Sequence, residues 1–258
     1  MSAHFNFLTS KSLLPSSLGA TALIVLVANM ISQDTAVIVG NYMYIPIQVS
    51  LLATSIWAIR YFGLDGIHGL GWLAFLGFAA CWFAGDMAWL IIEMVLEDPP
   101  YPSAADLFYL PGYPFLLIFS ISYIMPFRDA ISKKILATSF VIAIALVSFS
   151  IAMIGISDVT FGDSIALAYP IADGIILIPV LSGLFIFFKT RQNIMWSLML
   201  FGILATFAGD TLFSFFEYNG TYHTGHPMEI AFYWSYLLMT FGVIYHKKTV
   251  SNLGKNGA

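Results

Sequence analysis

The chain has 258 residues, of which 59% are hydrophobic and only 9% charged, with 23 Phe, 13 Tyr, 6 Trp and a formal net charge of −4. A water-soluble domain of this length needs a polar surface that so few charges cannot supply, which excludes ordinary soluble enzymes and nucleic-acid-binding domains. The charges stand in short clusters between apolar runs long enough to cross about 30 Å of hydrocarbon, so the apolar surface faces lipid.

In chain order the runs lie near Leu13 to Ile31, Ile38 to Ile59, Gly71 to Leu96, Ala105 to Met125, Ile135 to Ile156, Ser164 to Phe188, Ile194 to Phe216 and Glu229 to Tyr245. They predict an all-α integral membrane protein of eight transmembrane helices forming one membrane domain, with no separate soluble domain. The first run follows a short segment containing Lys11 and has no small-residue cleavage site, so it is expected to be a retained helix and not a signal peptide. The single cysteine, Cys81, sits within the third run, which rules out an intrachain disulfide and a cysteine metal cluster.

Lys and Arg accumulate on the cytoplasmic side of membrane proteins, and all ten cations fall on one side of this pattern. Lys11 precedes the first run and Arg60 follows the second. Arg128, Lys133 and Lys134 separate the fourth and fifth, Lys189 and Arg191 the sixth and seventh, and Lys247, Lys248 and Lys255 end the chain. The expected topology is therefore a multi-pass protein of the cell membrane with both termini cytoplasmic. The opposite connections carry Asp34, Glu97, Asp98 and Asp158 and no cation, so nucleic acid is not expected as a partner there.

A repeat runs through the chain at an offset of 124 residues. Phe83-Ala84-Gly85-Asp86 recurs as Phe207-Ala208-Gly209-Asp210. Asp34 matches Asp158, Pro46 matches Pro170, Trp72 matches Trp196, Leu76 matches Leu200, Glu93 matches Glu217, and Phe108-Tyr109 matches Phe232-Tyr233. Residues 1–124 and 125–258 are accordingly expected to be two tandem four-helix repeats. An even number of spans per repeat keeps both halves in one orientation, related by a pseudo-twofold along the membrane normal.

The repeat also brings its acids together. Asp86, Trp89 and Glu93 share one helix face, and Asp210, Phe213 and Glu217 repeat the arrangement. With Tyr109 and Tyr113 from the fourth helix, Tyr169 and Asp173 from the sixth, and Tyr233 and Tyr236 from the eighth, these predict an outward-facing acidic and aromatic cavity. An ionisable side chain within a span is costly and usually marks function, which favours Asp86, Asp210 and Asp173. The alternative is that each carboxyl bonds a tyrosine or a backbone carbonyl and fixes helix packing. Glu93 and Glu217 lie near the interface, where charge costs less.

Other polar residues read first as helix caps: Ser103 with Asp106, Thr160 with Asp163, and His226-Pro227-Met228-Glu229. His223 and His226, with Glu217 and Glu229, are the only weak candidates for a metal site, and the first half offers no equivalent pair. Asn219-Gly220-Thr221 is a glycosylation sequon on the external side. A retinal protein needs a lysine within its last helix, whereas Lys247 and Lys248 stand at the cytoplasmic end, so no retinal is expected. With no phosphate-binding loop, His-Glu-x-x-His pair or Gly-x-Ser-x-Gly turn, no cofactor is expected either.

The stretch Pro102-Ser103-Ala104-Ala105-Asp106-Leu107-Phe108-Tyr109-Leu110-Pro111-Gly112-Tyr113-Pro114 resembles one common in the multi-helix membrane input modules of prokaryotic histidine kinases and diguanylate cyclases. About a dozen residues follow the eighth run, so this resemblance implies a free-standing sensor-like module that signals through a cytoplasmic or membrane partner. The eight-helix pattern, with Gly85-Asp86 in the third helix and Asp210 in the seventh, is similar to the YhhN family, which includes lysoplasmalogenases that cleave the vinyl ether of lysolipids. That family carries Ser-Asp where this chain has Gly209-Asp210. This second resemblance implies a membrane-embedded lipid hydrolase with Asp86 and Asp210 as its acid–base pair. Three functions follow: a module sensing a small molecule or lipid, such a hydrolase, or a carrier or proton relay along the acids. Membrane lipids are expected partners in each.

Overall fold

A computed structural model describes residues 12–154, 161–187 and 193–256. The expectations that fall on Lys11, Asp158, Thr160, Lys189, Arg191 and the Lys255 side chain lie outside the described residues. Among the described residues every regular element is helical and there is no strand. The helices are α1 (Leu13–Ile31), α2 (Gln33–Phe62), α3 (Gly66–Met94), α4 (Asp106–Ile124), α5 (Lys133–Ile154), α6 (Phe161–Phe187), α7 (Asn193–Tyr218) and α8 (Ile230–Asn256). Short 3-10 turns, Met125–Ala130 and Pro227–Glu229, follow α4 and precede α8.

All eight helices are long and apolar enough to cross a membrane, and the chain is a multi-pass membrane protein by that measure. Helices are the natural solution, because each satisfies its own backbone hydrogen bonds where no water can. Among the described residues each of the eight apolar runs lies on one helix to within a residue or two at its ends. α2 and α3 start ahead of their runs, at Gln33 and Gly66. For α2 the early start has a cap: the Ser32 hydroxyl accepts the Thr35 N–H at 3.1 Å. Pro46 and Pro170 lie within continuous helices.

Six helices close a ring in the order α2, α3, α4, α6, α7, α8 and back to α2. α1 lies outside the ring against α2 and α8, and α5 lies outside it against α6 and α7. Burial follows this plan. In the most apolar window of α1 and of α5 only 17% of residues are buried, against 61% in α6, 61% in α7 and 67% in α8.

Lipid gives helices no hydrophobic reason to associate, so close packing and hydrogen bonds must do it. Glycines allow the approach. A Cβ on Gly85 would lie 2.5 Å from the Tyr109 ring, one on Gly112 2.5 Å from Trp82, and one on Gly209 2.5 Å from the Phe232 ring. Along α3, Trp72, Phe75, Phe78 and Trp82 recur at helical spacing, are buried, and pack with Phe119 and Tyr113 of α4. This aromatic column fills the half of the bundle nearer Arg60 and Arg128. The other half holds Asp86, Asp106, Asp210 and Glu229.

The connection from α7 to α8 folds back over that acidic half. Gly225 has φ +80°, and a Cβ there would lie 2.0 Å from the Ala36 carbonyl oxygen, so only glycine fits. Asn29 of α1 donates to the Gly225 carbonyl at 2.7 Å, and Trp89 of α3 donates to the Thr224 hydroxyl at 3.0 Å.

Candidate functional site: an acidic, aromatic cavity

All six ring helices, with the α3–α4 and α7–α8 connections, line a single cavity. α2 contributes Asn41 and Tyr44; α3 contributes Trp82, Asp86 and Trp89; α4 contributes Asp106, Tyr109 and Tyr113. Tyr169 comes from α6, Asp210 and Phe213 from α7, and Phe232 and Tyr236 from α8. Tyr101, Tyr222 and Glu229 complete the wall from the connecting segments. The space open to the centres of water-sized molecules is about 80 Å³. One water needs roughly 10–15 Å³ by that measure, so there is room for several waters or one small ligand.

Asp86 is 6% exposed, and both its oxygens accept hydrogen bonds: Gln48 Nε2 donates to Oδ2 at 2.7 Å and Tyr109 Oη to Oδ1 at 2.7 Å. Asp210 is 8% exposed and accepts from Tyr113 Oη at 2.8 Å. The Asp173 carboxyl of α6 lies beside it. The two aspartates are thus built differently: Asp86 faces only donors, whereas Asp210 faces a phenol and another acid.

Two further acids, read from the sequence first as caps, belong to the wall. Asp106 does cap α4, accepting the Ser103 N–H at 2.8 Å through Oδ2, while its Oδ1 accepts Tyr169 Oη at 2.5 Å. Ser103 Oγ accepts from the Ala105 N–H at 3.1 Å, so the cap is reciprocal, though one residue shorter than a standard box. Glu229 is 1% exposed and accepts from Tyr222 Oη at 2.6 Å and Tyr233 Oη at 2.9 Å. Asn41, Tyr44, Gln48 and Trp82 also escaped the sequence reading. The only signal for Trp82 was its place one turn before Asp86 on the same face of α3.

Among the residues expected to line the cavity, Asp86, Trp89, Tyr109, Tyr113, Tyr169, Asp210, Phe213 and Tyr236 do so. Tyr233 and Asp173 stand behind the wall, Tyr233 hydrogen-bonded to Glu229 and Asp173 beside Asp210. Glu93 and Glu217 are not in the wall. Glu93 is held by Asn41 Nδ2 at 2.7 Å, and Glu217 occupies the last turn of α7, half-buried.

In the connecting segments, burial and the neighbouring Glu229 push the Tyr222 phenol well above its usual range. Burial, then Asp106, does the same for Tyr101. Both keep their hydrogens and remain donors, Tyr222 to Glu229 and Tyr101 to the Gly162 carbonyl at 2.9 Å. His223 and His226 meet edge to face, 5.3 Å between ring centroids. His226 Nδ1 accepts the Met228 N–H at 3.2 Å, which occupies it as a helix cap. Among the described residues no group of three His, Cys, Asp or Glu side chains is arranged to hold a metal.

No Lys, Arg or His lines the cavity, so its four carboxyl groups have no cationic partner in the wall. Comparisons with known protein families, with curated proteins and with solved structures each find no match to this chain.

Proposed function

We propose that this protein is a sensor-like membrane module that binds a small molecule in the cavity between its two halves. The observation that carries the reading is that Asp86 and Asp210, from α3 and α7, line one cavity walled by aromatic side chains from all six ring helices. Concave, largely apolar pockets with a few convergent polar groups are where ligands bind, and carboxyl groups within spans are kept for function. Trp82 and Trp89 line the same cavity and report on it. Purified protein in lipid nanodiscs, titrated with a panel of small amines, alcohols and acids, should change its tryptophan emission saturably with at least one class, and Asp86→Asn should weaken that response. A flat response to every compound overturns the reading.

The two halves are proposed to be tandem repeats with a pseudo-twofold along the membrane normal. Equivalent contacts support this. Gly85 meets Tyr109 where Gly209 meets Phe232, Trp82 packs on Gly112 where Thr206 bonds Ser235 at 2.6 Å, and Gly71 backs onto Phe119 where Met195 backs onto Gly242. These place α3 and α7 at an offset of 124 and α4 and α8 at 123. The second register pairs Asp106 with Glu229 and Tyr113 with Tyr236, one residue from the alignment of Phe108-Tyr109 with Phe232-Tyr233. Both termini are proposed to be cytoplasmic, in the cell membrane, because the cations gather at that end. A reporter fused after Ala258 should be cytoplasmic, and an external reporter overturns the orientation.

One observation favours a second reading as a lipid hydrolase of the lysoplasmalogenase kind. Asp86 and Asp210 line one cavity in unlike settings, Asp86 accepting from Gln48 and Tyr109 and Asp210 from Tyr113 with the Asp173 carboxyl beside it, and an acid–base pair needs two carboxyl groups in unlike settings. A lysolipid panel that includes vinyl ethers tests it: turnover by the wild type, abolished in folded Asp86→Asn and Asp210→Asn variants, makes the protein a hydrolase. No turnover leaves ligand binding in place.

A further inference from the structure

The hydrogen-bonding capacity of the cavity leans toward acceptors. A phenol has a single hydrogen, and those of Tyr109, Tyr113, Tyr169 and Tyr222 are already directed at carboxyl groups. The indoles of the wall are committed too, Trp82 to the Tyr109 carbonyl at 3.2 Å and Trp89 to Thr224. Acceptors remain. The four carboxyl groups of the wall have lone pairs left over, and the Tyr44 and Tyr236 hydroxyls, directed at none of those carboxyl groups, can accept as well as donate. Leaving a buried acceptor unpaired is costly, and so is leaving a carboxylate in a span without a counter-charge.

An occupant that completes this cavity brings donor hydrogens and positive charge, and has aromatic faces to rest on. An anion meets four carboxyl groups and no cation, with only the Tyr44 and Tyr236 hydroxyls left to donate to it. A cation meets the carboxyl groups and the aromatic rings of Trp82, Tyr44 and Tyr236, whose quadrupoles attract positive charge.

We infer that the cavity binds a small organic ammonium ion that carries N–H hydrogens. This rests on the ligand-binding reading and names the chemical class that the site takes. Its size follows from the space available, which admits a few heavy atoms and excludes a whole lipid.

The test uses full-length protein in nanodiscs at neutral pH, with tryptophan emission as readout and four probes: isobutylammonium, its neutral isostere isobutanol, isobutyrate and tetramethylammonium. Isobutylammonium should saturate the signal with an affinity at least about tenfold above isobutanol, since a tenfold ratio is the effect of one modest charge-assisted contact. Isobutyrate should not bind, and tetramethylammonium should bind more weakly than isobutylammonium because it has no N–H. An Asp86→Asn variant that keeps the wild-type melting midpoint should lose most of the preference for the ammonium. Isobutanol binding as tightly as the amine overturns the inference while leaving a binding cavity. Tetramethylammonium binding as tightly overturns the N–H requirement. Silence from all four probes overturns the inference and the binding reading together.

Discussion

Gly85 is where helix packing and the acidic site meet, so a methyl group there should disturb both. In Gly85→Ala the new Cβ would stand 2.5, 2.6 and 2.9 Å from three carbons of the Tyr109 ring. Carbon atoms settle at roughly 3.5–4.0 Å, so the ring must retreat by about 1 Å. The same ring carries the hydroxyl that sits 2.7 Å from Asp86 Oδ1, and a retreat of that size takes it beyond hydrogen-bond range. Overpacking costs about 1–3 kcal/mol and losing a hydrogen bond to a carboxylate about 1.5–3 kcal/mol, set against about 1 kcal/mol gained because alanine favours the helix. A net loss of about 2–5 kcal/mol is expected. Gly209→Ala meets Phe232 in the same way, but that ring has no hydroxyl, so it should lose less, by about the hydrogen-bond share. Gly19→Ala, where a Cβ meets nothing within 4 Å, should be neutral or slightly stabilising. Chemical unfolding in mixed micelles gives the three values, and Tyr109→Phe on the Gly85→Ala background should cost less than Tyr109→Phe alone. If Gly85→Ala unfolds with Gly19→Ala, the close approach of α3 and α4 and the bond it supports are refuted.

Trp89→Phe keeps the ring but removes the N–H donated to Thr224, so it should loosen the segment before Pro227 by about 1 kcal/mol and speed proteolysis there while cleavage elsewhere is unchanged. His226 is depressed below the ordinary histidine value of 6.5, first by burial and then by His223, and its Nδ1 must be unprotonated to accept the Met228 N–H. The unfolded chain therefore takes up the proton at higher pH than the folded one. Stability from this group is whole above pH 6.5 and declines as pH falls below it, and a His226→Asn variant should flatten that part of the profile. At the opposite end of the bundle Tyr123 bonds buried His246, and Tyr123→Phe should cost about 1 kcal/mol in unfolding while leaving ligand binding in the cavity unchanged, since Trp72, Phe75 and Phe78 lie between the two places.

The helices were legible because hydrophobic runs of this length have one structural outcome in a membrane, and Asp86 and Asp210 were legible because the same tetrapeptide carries both. Asp106 and Glu229 were hidden by their own local setting. Ser103 before one and Pro227 before the other spell a helix start, and a cap accounts for an acid without any need of a cavity. At the offset of 124 Asp106 falls on Ile230 and Glu229 on Ala105, so neither acid meets an acid there and the repeat drew no attention to either. Gln48 and Asn41 were missed for another reason: a neutral amide inside an apolar helix leaves no trace in charge patterning, and its meaning lies in the acid it faces, 38 or 52 residues away. Glu93 and Glu217 share a helix face with the aspartates but sit two turns further along, beyond the wall.

The two outer helices give the chain an uneven tolerance for change. α1 and α5 present most of their surface to the surroundings and little to the ring, so what constrains most of their positions is oil-solubility, which Leu, Ile, Val and Phe satisfy alike. A saturation scan should find them nearly interchangeable there, apart from the few positions that are tethered, such as Asn29. In α6, α7 and α8 the same exchanges must pass the shape of specific neighbours, and few should survive. Descendants of this sequence would drift fastest where the protein meets its solvent and slowest around an 80 Å³ hollow, the reverse of the gradient that polarity alone would suggest.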